Sequence, residues 1–373
     1  MDRPKAFGGA RRVVVKIGSA VLRDGRDFDR VTFASLARDI VALREAGLEV
    51  VVVCSGAVAL GMARLGRTQR PDRIDELQAC AAIGQGRLMQ QWNDELAAYG
   101  HPVAQVLLTR DDLHHRPRFL AARRTLRTLL AWGVVPVINE NDTVAFDEIK
   151  LGDNDMLSSL VVSLVEAAAL VILSDVAGLY DRPPTQPGAA RIAMVGHIDP
   201  ALLGQAGDST SGLGSGGMRT KVQAVQQVTH LGVPAIIAPG KAPRVLRQLF
   251  EGDDVGTWFA PEAVSMGSRK HWIAFGQRPA GAIRVDAGAV KALLDQGRSL
   301  LPIGVVAVEG DFDEGDAVRI LGPDGVEIAR GLVNHSATEV RAALGRKAST
   351  VGGSFQHVPE VVHRDDLVRL PGA

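Results

Sequence analysis

Residues 136–156 read PVINENDTVAFDEIKLGDNDM, and their reading decides the fold. They close an apolar run, 134–138, of the kind that forms a buried strand. Nine amides or carboxylates and one lysine then fall within seventeen residues: Asn139, Glu140, Asn141, Asp142, Asp147, Glu148, Lys150, Asp153, Asn154 and Asp155. Surface loops turn on Ser, Gly and Pro and seldom gather so many such groups. At the carboxyl end of a strand they can hold the ammonium of a small polar ligand or the shell of Mg²⁺. A solvated acidic loop, or a helix cap at 152–155, would carry the same residues, so the flanking elements decide.

Upstream, 12–17 reads as a buried strand followed by the small residues Gly18, Ser19 and Ala20. A helix is expected over about 30–46, with Leu36, Ile40 and Leu43 on one face and Gly47 beyond its end. The run EVVVVC at 49–54 has no alternation, as in a parallel sheet covered on both faces. A long helical stretch, 74–99, is expected to be interrupted at Gly84 and Gly86. A strand at 103–108 ends at Thr109, a cap before Asp111 and Asp112, and a helix covers 116–132.

Downstream come a helical pattern at 156–168 and a strand at 170–173 ending in Ser174 and Asp175. A Gly/Ser-rich stretch at 207–217 leads into a helix reaching Leu231 and a strand at 234–238. This strand–helix alternation predicts an open α/β sandwich with ligands over the carboxyl ends of its strands. The register changes after Trp272: 269–280 reads as a linker, and 281–373 as short strands broken by Gly and Asp, a small, mostly β second domain.

Composition narrows the function. Forty-two basic and 42 acidic residues balance, so no global charge recruits nucleic acid or an anionic membrane. Aromatics are 4%, too few for an extended base-stacking surface. Cys54 and Cys80 stand far apart, outside any metal spacing, and predict no disulfide framework. The opening MDRPKAFGGARR lacks the apolar run of a signal peptide, and no stretch approaches a membrane span, so a cytoplasmic protein is expected.

Chemistry concentrates at strand ends. Lys16 closes an apolar strand beside a small-residue loop, where burial is costly unless it meets an anion; snorkelling at the sheet edge is the alternative. Ser55 and Gly56 end the second strand, where backbone N–H groups at a helix start can bind a carboxylate. Ser215, Gly216, Gly217, Met218, Arg219, Thr220 and Lys221 form a glycine loop entering a helix, which suits phosphate. The GxGxxG match at 212–217 follows a loop rather than a strand and lacks an acidic ribose ligand, and GxxxxGK[ST] does not occur. His114 and His115 lie in a basic stretch and read as solvated rather than as metal ligands.

In order, VVVKIGSAVL, VVVCSGAVALG, VPVINENDTVAFDEIKLGDNDMLS, ILSDVAGLY and SGLGSGGMRTK resemble the glutamate 5-kinase family of the amino-acid kinase superfamily. INEND followed by EIKxGDND is the branch-specific part, and the resemblance runs from about 12 to 260. Cys54, Ser174 and Ser215 depart from it, standing where threonine is common. The resemblance implies an α/β/α three-layer sandwich over 1–268, followed by a PUA-like domain at 281–373. It implies ATP-dependent phosphorylation of the L-glutamate side chain, the first step of proline biosynthesis. Lys16 and Lys221 would act with Asp155 orienting them; Ser55, Gly56, Asp142, Asp153 and Asn154 would bind glutamate. ATP would meet Lys16, Ser174, Asp175 and the segment from Ser215 to Lys221, with Mg²⁺ shared between phosphates and water and no ligand assigned from the protein. Proline as feedback inhibitor, a homo-oligomer and coupling to glutamate-5-semialdehyde dehydrogenase are further expectations.

Two other readings compete: a kinase for another amino acid or small carboxylate, and an RNA-binding accessory protein acting through the second domain. Residues 281–373 carry ten Lys/Arg against thirteen Asp/Glu, a poor balance for neutralising phosphates, although Arg341, Arg346 and Lys347 cluster locally. A structural module is the preferred reading of that domain.

Overall fold

A computed structural model describes residues 10–25, 27–144, 153–205, 217–262, 268–275, 277, 279–346, 351, 353–357 and 359–370. The chain divides into two compact units, Met1–Ser265 and Met266–Ala373.

In the first unit, β1 (Arg12–Ile17) leads to a small ribbon of β2 (Arg23–Asp24) and β3 (Asp27–Phe28), then α1 (Arg30–Glu45) and β4 (Glu49–Cys54). Helices α2 (Ala57–Arg64) and α3 (Ile74–Ala97) precede β5 (Val103–Leu108), and α4 (Arg110–His114) and α5 (Arg116–Ala131) precede β6 (Val135–Glu140). Next come α6 (Asp153–Val165), β7 (Ala169–Ser174), β8 (Met194–Val195), α7 (Pro200–Gln205) and α8 (Met218–His230). The unit closes with β9 (Ala235–Pro239), α9 (Val245–Glu251) and β10 (Thr257–Phe259).

The sheet order is β5-β6-β4-β1-β7-β9-β10-β8. Neighbours from β5 to β9 pair in parallel, and β10 turns antiparallel against β9. Alternation along the central strands sorts the core into two faces. Val13, Val15 and Ile17 pack with α1, α3 and α9 around Phe33, Leu88, Trp92 and Leu246. The intervening residues, Lys16 among them, point to the face bearing α6. The expected α/β/α sandwich is therefore present.

Local sequence accounts for the helix starts. Asp29 accepts from Thr32 N–H at 2.9 Å and caps α1, and Thr109 forms a capping box with Asp112. The expected interruption of α3 is not seen: the helix runs unbroken from Ile74 to Ala97. Its glycine serves packing instead. A Cβ on Gly84 would stand 1.8 Å from the Ala57 carbonyl oxygen, and one on Gly61 would stand 1.8 Å from that of Cys80. The α2–α3 seam is thus a backbone-to-backbone contact that any side chain would force apart.

In the second unit, α10 (Ser268–Phe275) is followed by β11 (Gly281–Val285), α11 (Ala287–Leu294), β12 (Val305–Gly310) and β13 (Ala317–Leu321). Then come β14 (Glu327–Val333), α12 (Ala337–Ala342) and β15 (Val362–Arg369). The sheet order is β12-β11-β13-β14-β15, around a core of Ile283, Val285, Val318, Ile320 and Val362. The expected linker, 269–280, contains most of α10, whose Ala274 carbonyl accepts from Arg330 Nη1 on β14 at 2.6 Å. The helix supplies an apolar edge, Trp272, Ile273 and Ala274, all buried, which a pattern of polar and glycine flanks concealed.

Candidate active site

Four adjacent parallel strands, β6, β4, β1 and β7, end side by side, and each carries a residue singled out in the sequence at or next to its carboxyl end. Register places Lys16 opposite Val53 on β4 and Ile172 on β7, with Ser55 N–H continuing the ladder to the Ile17 carbonyl. Gly56 adopts φ +118 at the start of α2, a conformation that glycine takes without strain, and this turns the chain sharply after Ser55.

At the centre is Asp155, fully buried in the first turn of α6. Lys16 Nζ lies 2.6 Å from its Oδ1, and Lys221 Nζ, from the first turn of α8, lies 3.1 Å from its Oδ2. Thr220 Oγ1 donates to the same Oδ2 at 3.2 Å. Lys16 and Lys221 are only 2% and 7% exposed, so three charged side chains with a net charge of +1 meet away from water. Burial pushes the Lys16 ammonium below the ordinary lysine value; Asp155 opposes that shift and Lys221 reinforces it. Burial alone would raise the Asp155 carboxyl, but the two lysines outweigh it and hold the group below the usual carboxylate range. Neighbouring Cys54 is pushed up to about 12 by burial, so its thiol stays protonated and inert.

Asn154 donates through Nδ2 to Asn139 Oδ1 at 3.1 Å, and Asn139 Nδ2 donates to Gln85 Oε1 at 2.8 Å. Among the described residues, Ser55 Oγ, Gln85 Nε2 and Asn154 Oδ1 are buried without a hydrogen-bond partner. Buried polar groups are normally paired, so three such atoms at one rim of the sheet fit a polar ligand. Asp142 follows the end of β6 and is half-buried, with Arg70 contributing positive charge nearby. Ser174 Oγ donates to Asp175 Oδ1 at 3.0 Å at the end of β7. Gly217 begins α8 with Met218, Arg219 and Thr220 in its first turn. Ser215, Gly216 and the segment 145–152 lie outside the described residues, as does the side chain of Asp153.

Gln85 was not singled out from the sequence, because the glycines around it were read as interrupting the helix. The pair Gly84 and Gly86 flanking one glutamine was the available signal, since close approach at Gly84 carries Gln85 toward the start of α2. Among the described residues, no three His, Cys, Asp or Glu side chains form a metal-binding group. Asp155 already has an ammonium at each oxygen, so this donor set does not fit a cation held by the protein alone.

A sheet edge that offers buried lysines, a helix start and unpartnered amides is the site of an enzyme handling small anionic substrates. Residues 11–239 match the amino acid kinase family, and residues 281–353 match the PUA domain. The chain is 49% identical to "Glutamate 5-kinase" of Geobacter sulfurreducens over 364 residues, covering 96% of this chain and 98% of that protein. It is also 49% identical to "Glutamate 5-kinase" of Thioalkalivibrio sulfidiphilus, covering 98% of each. The chain belongs to the glutamate 5-kinase branch of the amino acid kinase family.

Proposed function

We propose that the protein transfers the γ-phosphoryl group of ATP to the side-chain carboxylate of L-glutamate, giving L-glutamyl 5-phosphate and ADP. One observation carries the link between geometry and reaction: two buried lysines share a single buried carboxylate at the carboxyl ends of the central strands. A carboxylate acceptor, with an ordinary pKa of about 4.3, is already ionised at neutral pH and needs no general base. The barrier lies in bringing two anions together and in spreading charge over the moving phosphoryl group.

In this reading a carboxylate oxygen forms the new bond to the γ-phosphorus, and the bond to the ADP oxygen breaks with its electron pair. Lys16 and Lys221 lower the potential along that path, and Asp155 fixes where both ammoniums point. Ser55, Gly56, Asp142, Asp153 and Asn154 hold glutamate. Ser174, Asp175 and the segment from Ser215 to Lys221 hold ATP, which brings Mg²⁺ on its phosphates as part of the substrate.

Proline has the same α-ammonium and α-carboxylate but no acceptor carboxylate, so it competes with glutamate rather than ATP. The deciding experiment measures ADP release with glutamate, aspartate and acetylglutamate. Strong preference for glutamate supports the reading, and equal or better turnover of another acceptor overturns it.

A further inference from the structure

The amides at the end of β6 form a chain whose polarity one backbone group sets. Glu140 N–H donates to Asn139 Oδ1 at 2.9 Å. A backbone nitrogen only donates, so the Asn139 oxygen is fixed on that side and its Nδ2 on the other. Nδ2 then donates to Gln85 Oε1, which turns Gln85 Nε2 away from Asn139. Asn154 Nδ2 donates to the same Asn139 oxygen, which leaves Asn154 Oδ1 at the opposite end. The relay thus ends in one buried donor and one buried acceptor, neither of them hydrogen-bonded among the described residues.

An α-amino acid head carries the matching pair, a carboxylate that only accepts and an ammonium that only donates. We propose that Gln85 Nε2 donates to the substrate's α-carboxylate while Asn154 Oδ1 accepts from its α-ammonium. The assignment rests on the glutamate-phosphorylating reading and extends the site to a residue of α3. Geometry supports the direction. Asn154 adjoins Asp155 on α6, so the α-head and the reacting end fall to neighbouring residues. Ser55, one residue past β4, lies beside the end of β6, because Val53 pairs with Ile138.

Gln85→Glu tests this without removing bulk. It keeps an acceptor for Asn139 and replaces the donor with a second, charged acceptor. L-glutamate is compared with its α-amide, which keeps the γ-carboxylate and the α-ammonium but carries an uncharged, N–H-bearing carboxamide in place of the α-carboxylate. The variant should lower kcat/KM for glutamate by about 10- to 100-fold, mainly through KM, with the ATP KM unchanged. The ratio of α-amide to glutamate activity should rise by a similar factor. Gln85→Leu should weaken glutamate as well, and should raise the ratio less because it offers the amide no acceptor. A merely structural Gln85 would lower both substrates alike, and an unmoved ratio overturns the proposal while leaving the glutamate reading intact. A wild-type enzyme that phosphorylates no glutamate overturns both.

Discussion

Among the described residues, the first unit buries two lysines and an aspartate in mutual contact, whereas the second buries a single polar side chain, His335. That imidazole is satisfied locally: Nδ1 lies 3.1 Å from Ser354 Oγ, which donates to Glu339 Oε1 at 2.7 Å, and the ring stacks 3.7 Å from Phe355. One arrangement completes a core. The other takes three charges out of water, an expense that packing alone would not select, because apolar residues of equal volume commonly stabilise as well or better. Buried charge with a net sign therefore marks the reacting region, and a buried polar ring whose hydroxyl partner leads out to an exposed carboxylate marks the supporting one.

Removing a lysine should break the comparison most severely. Lys16→Ala and Lys221→Ala are each expected to lower kcat by about 10²–10³-fold, with a smaller change in KM, in steady-state assays. His335→Ala should lower Tm and leave kcat unchanged; a matching loss of turnover would erase the distinction.

Asp155→Asn should act next most strongly and change the pH profile in a defined direction. Lys16 sits below 10.5 in the folded protein despite the attraction of Asp155, so it discharges earlier than an exposed lysine as pH rises. Removing that attraction should move the alkaline fall of kcat to lower pH. On the acid side, the lowered Asp155 carboxyl contributes stability that is present above 3.8 and lost as pH falls through its folded value. The Asn variant should lack that acid-dependent loss, as read from Tm against pH.

The α2–α3 seam gives a contrast within one helix. Gly84→Ala should destabilise by about 3 kcal/mol through backbone overlap with Ala57. Gly86→Ala meets nothing within 4 Å and should stabilise by about 0.5–1 kcal/mol. Denaturant midpoints distinguish the two. The smallest effect is expected from ending the chain at Ser265: every residue assigned to the reaction precedes Val222, so glutamate-dependent ADP release should persist. A folded but inactive truncation would give the second unit a part in the chemistry.

Much of the site was legible because charge in an apolar strand is conspicuous. Lys16 within RVVVKI stands out by the cost of burying it, and Asp155 by its place in an acidic group where an apolar helical pattern begins. The sharing of Asp155 by Lys16 and Lys221 could not be read from periodicity or spacing; the family resemblance supplied that expectation, and the distances in space carry it. Gln85 escaped because glycine has two opposite meanings inside a helix, weak propensity and close approach, and only the position of Ala57 decides between them. The helix at Ser268–Phe275 escaped because it is short and its burial comes from β14 and β15, distant in sequence.

The sharing of Asp155 also bears on how the enzyme comes into being. Lys16 lies on β1, ahead of Asp155 in the chain, and Lys221 lies 66 residues beyond Asp155. Until α8 exists, Asp155 has one ammonium and an open side, and water still reaches the pair. Closure of the site waits on a long-range contact of the kind that forms late in folding. Activity should therefore be absent until the segment holding the start of α8 has cleared the exit tunnel, with no partly active nascent form before it.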